Sequence, residues 1–275
     1  MKRMVVLSVK TVNWLSLLIV ALMFVFPFLW MTSTAFKTMS EVRQFPPSLI
    51  PSTWEWGNFV QAWQSGPFLT FTLNSIVVSI GILILQLLTG VPAAYAFARL
   101  KFPGRNLLFT LVLIVLMMPG QVIFLPIYVQ LSGWHLINTL WALILPYAAS
   151  AFGIFLLRQA FMQVPDEVIE AARLDNASEW KIMWTIMVPM AKPVLVTFSL
   201  FSFIYHWNDY FWPLIMTNSD EARTLPVGIS GLHMSDGGTL WNVMMAGNVI
   251  LILPILIIFF VAQRHIIKAF TYQSK

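Results

Sequence analysis

Long apolar runs alternate with short polar connections along the whole chain. Six of these runs hold roughly 19 to 25 residues, the length that a helix needs to cross ~30 Å of hydrocarbon. They cover residues 12–31, 74–98, 106–130, 139–157, 194–215 and 243–262. The pattern predicts an all-α integral membrane protein with six transmembrane helices. Because no break defines a second domain, residues 1–275 are expected to form one transmembrane domain.

Composition supports the membrane class. Of the 275 residues, 59% are hydrophobic and only 10% are charged, and the mean hydropathy is +0.79. These values exclude an ordinary soluble domain. The first run is longer than the apolar core of a secretory signal, so it is interpreted as a retained span. Cysteine is absent, so disulfide bonds play no part.

The lysines and arginines predict how the helices are oriented. With the N-terminus inside, 13 of the 16 basic residues fall on the cytoplasmic side, and only Lys37, Arg43 and Arg223 lie outside. The positive-inside rule therefore favours a cytoplasmic location for both termini. Topology thus explains the net charge of +5. Nucleic-acid binding would require cations clustered on a soluble face, and the sequence offers none.

The connection formed by residues 159–192 gathers charge that the rest of the chain lacks. Its acidic and basic side chains include Asp166, Glu167, Glu170, Arg173, Asp175, Glu179 and Lys181. Pro165 suits the first turn of a helix that would run to about Leu174. Asn176 can take the left-handed conformation that ends a helix, and Ser178 suits the start of the next one.

Two interpretations of this charged connection stay open. Glu170 and Arg173 lie three residues apart and share a helix face, which indicates a docking surface for a soluble partner. Charges of this kind also occur on an ordinary solvated loop. Pro189 and Pro193 interrupt the chain between this connection and the fifth apolar run.

The fifth apolar run contains a candidate transport path. Asp209 is the only acidic residue in any predicted span, and an ionisable group at that depth indicates a functional site. Aromatic neighbours add flat apolar faces of the kind on which sugar rings stack. Asn74 and Gln86 in the second span either line the same path or form interhelical hydrogen bonds. The candidate path residues are Asn74, Tyr205, Trp207, Asn208 and Asp209.

One motif in the charged connection resembles a known family signature. Glu170, Ala171 and Ala172, followed by residues 175–178 and 186–189, are similar to the EAA signature of the inner-membrane permease subunits of bacterial ABC importers. Asn176 stands where the signature has Gly, and Val188 stands where it has Leu. Asparagine keeps access to positive φ, so the first departure is compatible with the motif.

Other stretches resemble particular branches of that family. Residues 73–75, 93–99 and 102–105, and the polar and aromatic residues of the fifth span, are similar to the second, G-type permease of maltose-type carbohydrate importers. Residues 155–159 and 203–208 also resemble the permease of glycerol-3-phosphate importers. The resemblance covers nearly the whole chain and leaves the substrate open.

The resemblance implies a type I ABC importer permease fold in a bacterial inner membrane, with a cytoplasmic coupling helix. This helix would fit a cleft on a separate ATPase subunit, and Glu170 would pair there with a basic residue. The implied coupling residues are Glu170, Ala171, Ala172, Arg173, Asp175 and Asn176. The third outer connection would meet a solute-binding protein through Gly231, His233, Asp236, Gly237 and Gly238.

The implied partners are a second permease subunit forming a heterodimer, an ATPase dimer, the solute-binding protein and membrane lipid, with no nucleic acid. The chain would not be an enzyme and would hold no cofactor, since ATP and Mg would bind to the ATPase. The sequence agrees, because it contains no Gly-x-x-x-x-Gly-Lys-Ser/Thr loop to cradle phosphates.

Other functional classes find less support in the residues. A secondary transporter usually needs several intramembrane carboxylates, and only Asp209 is offered. A membrane enzyme would need a nucleophile and a base, yet His206 is the sole histidine in a predicted span and no Gly-x-Ser-x-Gly accompanies it. Since no Lys or Arg lies within the spans, a neutral sugar or oligosaccharide is favoured over glycerol-3-phosphate or a related polyol phosphate. A partner subunit that supplies cations would restore that alternative.

Labelling can test the predicted topology. The chain has no cysteine, so Ser132→Cys and Ser178→Cys each create a unique labelling site. We expect a membrane-impermeant maleimide to label the Ser132 variant in intact cells and the Ser178 variant only after permeabilisation. Labelling of the Ser178 variant in intact cells would reverse the orientation.

Overall fold

The computed structural model describes residues 2–232 and 239–271, and within these ranges the chain is helical with no β-strand. A 3₁₀ turn covers Leu145–Tyr147, and a π-helical turn covers Met183–Met187. The α-helices are α1 (Lys2–Ala35), α2 (Met39–Val42), α3 (Gly57–Gln64), α4 (Phe68–Arg99), α5 (Arg105–Met117), α6 (Gly120–Gly133), α7 (Leu140–Ile144), α8 (Ala151–Met162), α9 (Asp166–Leu174), α10 (Glu179–Ile182), α11 (Val188–Met190), α12 (Lys192–Trp207), α13 (Phe211–Met216), α14 (Leu225–Gly231) and α15 (Trp241–Thr271).

Three helices are long and apolar enough to cross a membrane alone: Asn13–Ala35 within α1, α4, and Trp241–Gln263 within α15. Three bent pairs pass the same test when each counts as one span. These pairs are α5 with Val122–Gly133, Leu140–Tyr147 with α8, and Glu179–Met190 with α12. The prediction of an all-α protein with six spanning segments is therefore confirmed. The orientation of the termini stays a prediction.

The fifth span departs from its predicted bounds at both ends. Helix α12 ends at Trp207, whereas the apolar run predicted a helix through residue 215. Polar groups make this break possible: the Asn208 side chain donates to Ile204 O at 2.8 Å, and Asp209 Oδ1 accepts from the Trp212 N–H at 3.3 Å. The Asp209 side chain thus bonds a backbone N–H that the start of α13 leaves unpaired, whereas the Ile204 carbonyl also accepts the Asn208 N–H.

At its other end, the fifth span bends by 80° where α11 meets α12. Pro193 lies in the first turn of α12 and has no N–H to offer the Pro189 carbonyl four residues earlier. The predicted interruption by proline is confirmed, and the bend itself lies at Ala191. The predicted span boundary near residue 194 therefore coincides with a change of helix direction.

The chain separates into two compact units, Met1–Phe68 with Gly228–Leu253, and Leu69–Val227 with Pro254–Lys275. In the first unit, the loop after α1 packs around the Phe36 ring, whose centroid lies 4.8–5.0 Å from those of Trp54, Trp56 and Phe59. Asn58 is buried and its amide donates to the carbonyls of Ala35 and Lys37 at 2.9 Å each. The long connection that follows α1 is therefore ordered.

The second unit is built on close packing of α8 against α12. Gly153 near the start of α8 faces the buried Phe198 ring of α12, and a Cβ added at Gly153 would lie 2.5 Å from Phe198 Cζ. No real Cβ contact is that short, so the glycine permits this approach. The opposite end of α8 joins an apolar core that also holds Val91 of α4 and Ile169 of α9.

The Gly153 contact predicts a stability difference between two glycine variants. Gly153→Ala is expected to reduce the free energy of unfolding by about 1–3 kcal/mol, because the ring must move within a packed core. Gly90→Ala in α4 is the matched control, since its Cβ would meet only Leu157 Cδ1 at 4.0 Å. Alanine there should be neutral or stabilising by up to ~1 kcal/mol. Thermal unfolding in detergent compares them, and equal stability of Gly153→Ala and the wild type would contradict the packing.

Candidate coupling surface and transport path

Helix α9 forms where the charged connection predicted its first helix, over Asp166–Leu174. Ile169 and Ala172 are buried in the apolar core, and their spacing of three places them on one face. Asp166 and Glu167 occupy the first turn, where negative charge complements the helix dipole. The remaining face of this short helix, including Glu170, is exposed.

Asn176 ends α9 in the predicted left-handed conformation, with φ of 56°. Its N–H bonds the Arg173 carbonyl at 3.0 Å, and the following Ala177 N–H bonds the Ala172 carbonyl at 3.0 Å. This pair of bonds is a Schellman motif, which normally has glycine at the left-handed position. The structure thus explains why asparagine is compatible with the family signature here.

Arg173 pairs within the chain. Its guanidinium makes two hydrogen bonds to the Glu179 carboxylate, at 2.8 and 3.2 Å. These bonds to Glu179 raise the pKa of Arg173 above its usual value, against the opposing effect of burial. Glu179 also accepts a hydrogen bond from the Tyr95 hydroxyl of α4. The sequence placed Arg173 beside Glu170 on one face but gave no signal for this contact with α4.

The exposed surface around α9 combines charges with large apolar side chains. Leu174 is 83% exposed and Trp180 is 64% exposed. Glu170, Ala171 and Asp175 are exposed beside them. Exposed apolar groups rimmed by charge are typical of a protein docking site. Sequence reasoning identified the charges and missed Leu174 and Trp180, although both apolar residues stand out in a polar segment.

A separate cavity of about 660 Å³ opens among α4, α5, α8 and α12. Its polar floor is a buried cluster: Gln86 donates to Tyr147 O at 3.0 Å and accepts from Ser202 Oγ at 2.6 Å. His206 Nε2 lies 3.4 Å from Gln86 Nε2. Aromatic side chains form the walls, and no charged side chain of the described residues lines the cavity. Such a site offers hydrogen bonds to uncharged polar groups.

The five residues predicted to line the transport path lie in different environments. Tyr205 lines the cavity and is 65% exposed. Trp207 is buried and stacks on Phe203 with ring centroids 5.5 Å apart. Asn74 is buried and donates to the carbonyls of Glu221 and Arg223 at 2.8 Å each. Asn208 and Asp209 occupy the break after α12, as described above. The transport role of these residues stays a prediction.

Of the residues predicted to contact the solute-binding protein, the structure describes only Gly231. Gly231 is the last residue of α14. His233, Asp236, Gly237 and Gly238 lie outside the described residues. Among the side chains that the structure describes, no group of three or more His, Cys, Asp or Glu is placed to hold a metal ion.

Comparison with known proteins assigns the chain to a class. Residues 86–272 match the family described as binding-protein-dependent transport system inner membrane component. Over 266 residues the chain is 33% identical to the sn-glycerol-3-phosphate transport system permease protein UgpE of Yersinia pestis bv. Antiqua (strain Antiqua), covering 94% of this chain and 95% of that protein. It is 34% identical over 255 residues to the arabinooligosaccharides transport system permease protein AraQ of Halalkalibacterium halodurans, covering 92% and 91%.

A solved structure shares the fold. A chain of the bacterial ABC transporter involved in the import of the acidic polysaccharide alginate superposes with a TM-score of 0.83 at 25% identity, covering 93% of this chain and 95% of that one. This chain therefore belongs to the family of binding-protein-dependent transport system inner membrane components. The resemblance to ABC importer permeases, the type I permease fold and the inner-membrane location are confirmed. The family is one of transport subunits.

Proposed function

We propose that this permease subunit couples import of a sugar or oligosaccharide to ATP hydrolysis by a separate ATPase, using α9 as its docking helix. The exposed, mixed apolar and charged surface of α9 is the observation that carries the proposal. The subunit pairs with a second permease in a heterodimer and receives its solute from an extracytoplasmic binding protein. ATP and Mg bind to the ATPase, since this sequence lacks a phosphate-binding loop.

Glu170 is the charge on α9 best placed to meet the ATPase. Two neighbouring charges are already paired within the chain, Asp166 with Arg99 and Arg173 with Glu179. The Glu170 carboxylate makes no hydrogen bond or ion pair with the part of the chain that the structure describes, and it is exposed. A basic residue in the ATPase cleft would satisfy it by a charge-assisted hydrogen bond.

The cavity supports a neutral, hydroxyl-rich substrate. Gln86, Ser202 and His206 supply uncharged donors and acceptors, and Tyr205 supplies an exposed ring face. The arabinooligosaccharide relative agrees with this class. Glycerol-3-phosphate is the second candidate because of the 33% identity to UgpE, and it would require cations from the partner permease.

Charge reversal at Glu170 tests the docking role. Glu170→Lys is expected to abolish most of the uptake and of the ATP hydrolysis that the loaded binding protein stimulates, because like charges would meet in a desolvated joint. The assay uses vesicles with the partner permease, ATPase and binding protein. Glu55→Lys makes the same charge change in the first outer connection, where we expect near-normal activity. Normal stimulated hydrolysis and uptake in Glu170→Lys would reject the docking role.

Variants at Tyr205 test the transport path. Tyr205→Phe keeps the ring face and is expected to retain uptake, whereas Tyr205→Ala should reduce sugar uptake by about tenfold, equivalent to roughly 1.4 kcal/mol of lost contact. Uptake of labelled arabinooligosaccharides and glycerol-3-phosphate is measured in the same vesicles. Trp14→Ala removes another exposed aromatic side chain, in α1, and is the control. Full activity of Tyr205→Ala toward both solutes would remove this cavity from the path.

A further inference from the structure

Arg99, the last residue of α4, joins three helices through one side chain. Its Nε and Nη2 donate to the Phe161 carbonyl near the end of α8, at 3.1 and 2.7 Å. Nη2 also donates to the Val164 carbonyl, and Nη1 pairs with Asp166, the first residue of α9. The Arg99 side chain is only 10% exposed. We call this set of contacts the Arg99 junction.

A second contact links α4 to the opposite end of α9. Tyr95 is 3% exposed, and its hydroxyl donates to Glu179 just beyond α9. Glu179 in turn holds Arg173 in the last turn of α9 by its two hydrogen bonds. We call this the Tyr95 junction. Tyr95 and Arg99 are four residues apart, so both project from one face of α4.

From these contacts we infer that α9 and the cytoplasmic end of α4 move as one body, with Arg99 and Tyr95 as positioning residues that pass the motion of α9 to α4. A helix held at one point can pivot about it. Attachment at its first and last turns removes that freedom. Ile169 and Ala172 of α9 also share one apolar core with Val91, Ala94 and Tyr95 of α4.

The residue types favour a rigid attachment of α9 to its neighbouring helices. Nine residues are too few to form a stable helix alone, so α9 depends on its attachments. The guanidinium of Arg99 presents a rigid fork of donors, which satisfies several acceptors at once in a way that the point charge of lysine does not. Two of its acceptors are carbonyls at the end of α8, where the helix dipole is negative.

Helix α4 extends this connection to the cavity. Gln86, in the cavity floor, lies nine residues before Tyr95 in the same helix, a rise of about 14 Å. The helix is continuous over Phe68–Arg99, including Pro92. A tilt of α4 driven from α9 would therefore act on the hydrogen bond that joins Gln86 to Ser202 of α12. The inference rests on the proposed docking of α9 and adds the route from that surface to the cavity floor.

Conservative variants test the two junctions. Arg99→Lys keeps the charge and loses the fork, and Tyr95→Phe removes one hydroxyl and keeps the buried ring. In the reconstituted importer, we expect each variant to reduce solute transported per ATP hydrolysed by about threefold or more, because a hydrogen bond to a charged group is lost. The ATPase should remain bound. Arg43→Lys and Tyr128→Phe make the same changes away from α9, and their transport ratio should equal that of the wild type.

The outcomes separate this inference from the proposed function. If Glu170→Lys uncouples the importer while Arg99→Lys and Tyr95→Phe keep the wild-type ratio, the junctions do not transmit motion and the docking proposal stands. If Glu170→Lys remains fully coupled, the docking proposal itself fails.

If those variants unfold, a distance measurement between α9 and α4, with Arg99 and Tyr95 unchanged, tests the inference. Val168 of α9 and Leu88 of α4 are exposed, and the cysteine-free chain allows spin labels at both after Val168→Cys and Leu88→Cys. Within the assembled importer, pulsed electron resonance should give the same distance distribution without nucleotide and with ATP bound. A nucleotide-dependent change in that distance would overturn the inference.

Discussion

A backbone inside a lipid bilayer must satisfy every N–H and C=O group within the protein, and this constraint governs each bend in the chain. At the start of α8, Ser150 Oγ accepts the Gly153 N–H at 3.0 Å. After α12, Asp209 Oδ1 accepts the Trp212 N–H in the same way at 3.3 Å. At these two breaks, short polar side chains therefore bond backbone N–H groups that the change of helix direction leaves unpaired.

The same constraint explains where polar groups collect. Gln86, Ser202 and His206 are buried, and each finds a partner within one cluster. Because their partners come from α4, α12 and the turn at Tyr147, the cluster joins separate helices at the level of the cavity. Interhelical hydrogen bonds of this kind hold helices together in lipid while leaving donors and acceptors beside an open space.

Helix α4 connects the two candidate functional regions of the second unit. Its middle contributes Gln86 to the cavity, and its end contributes Tyr95 and Arg99 to the contacts of α9. The proposed docking surface lies on the exposed side of α9, and the buried side of α9 joins an apolar core to which α4 also contributes. The proposed function needs such a physical connection, because the ATPase and the solute would act at different depths.

The sequence alone determined the class of the protein. Apolar runs predicted six spans because their length must match the bilayer, and local chemistry predicted α9, its end at Asn176 and the Ser178 cap, because dipoles, left-handed φ and caps depend on near neighbours. The family signature then identified an importer permease.

Only the tertiary structure decided the features that depend on contacts between residues far apart in the chain. It ended α12 at Trp207 and buried that ring. It also paired Arg173 with Glu179, which in turn accepts from Tyr95, rather than leaving Arg173 free beside Glu170. The charges could be read from the sequence, but their partners could not, since hydropathy records the depth of a residue and not which helix packs beside it.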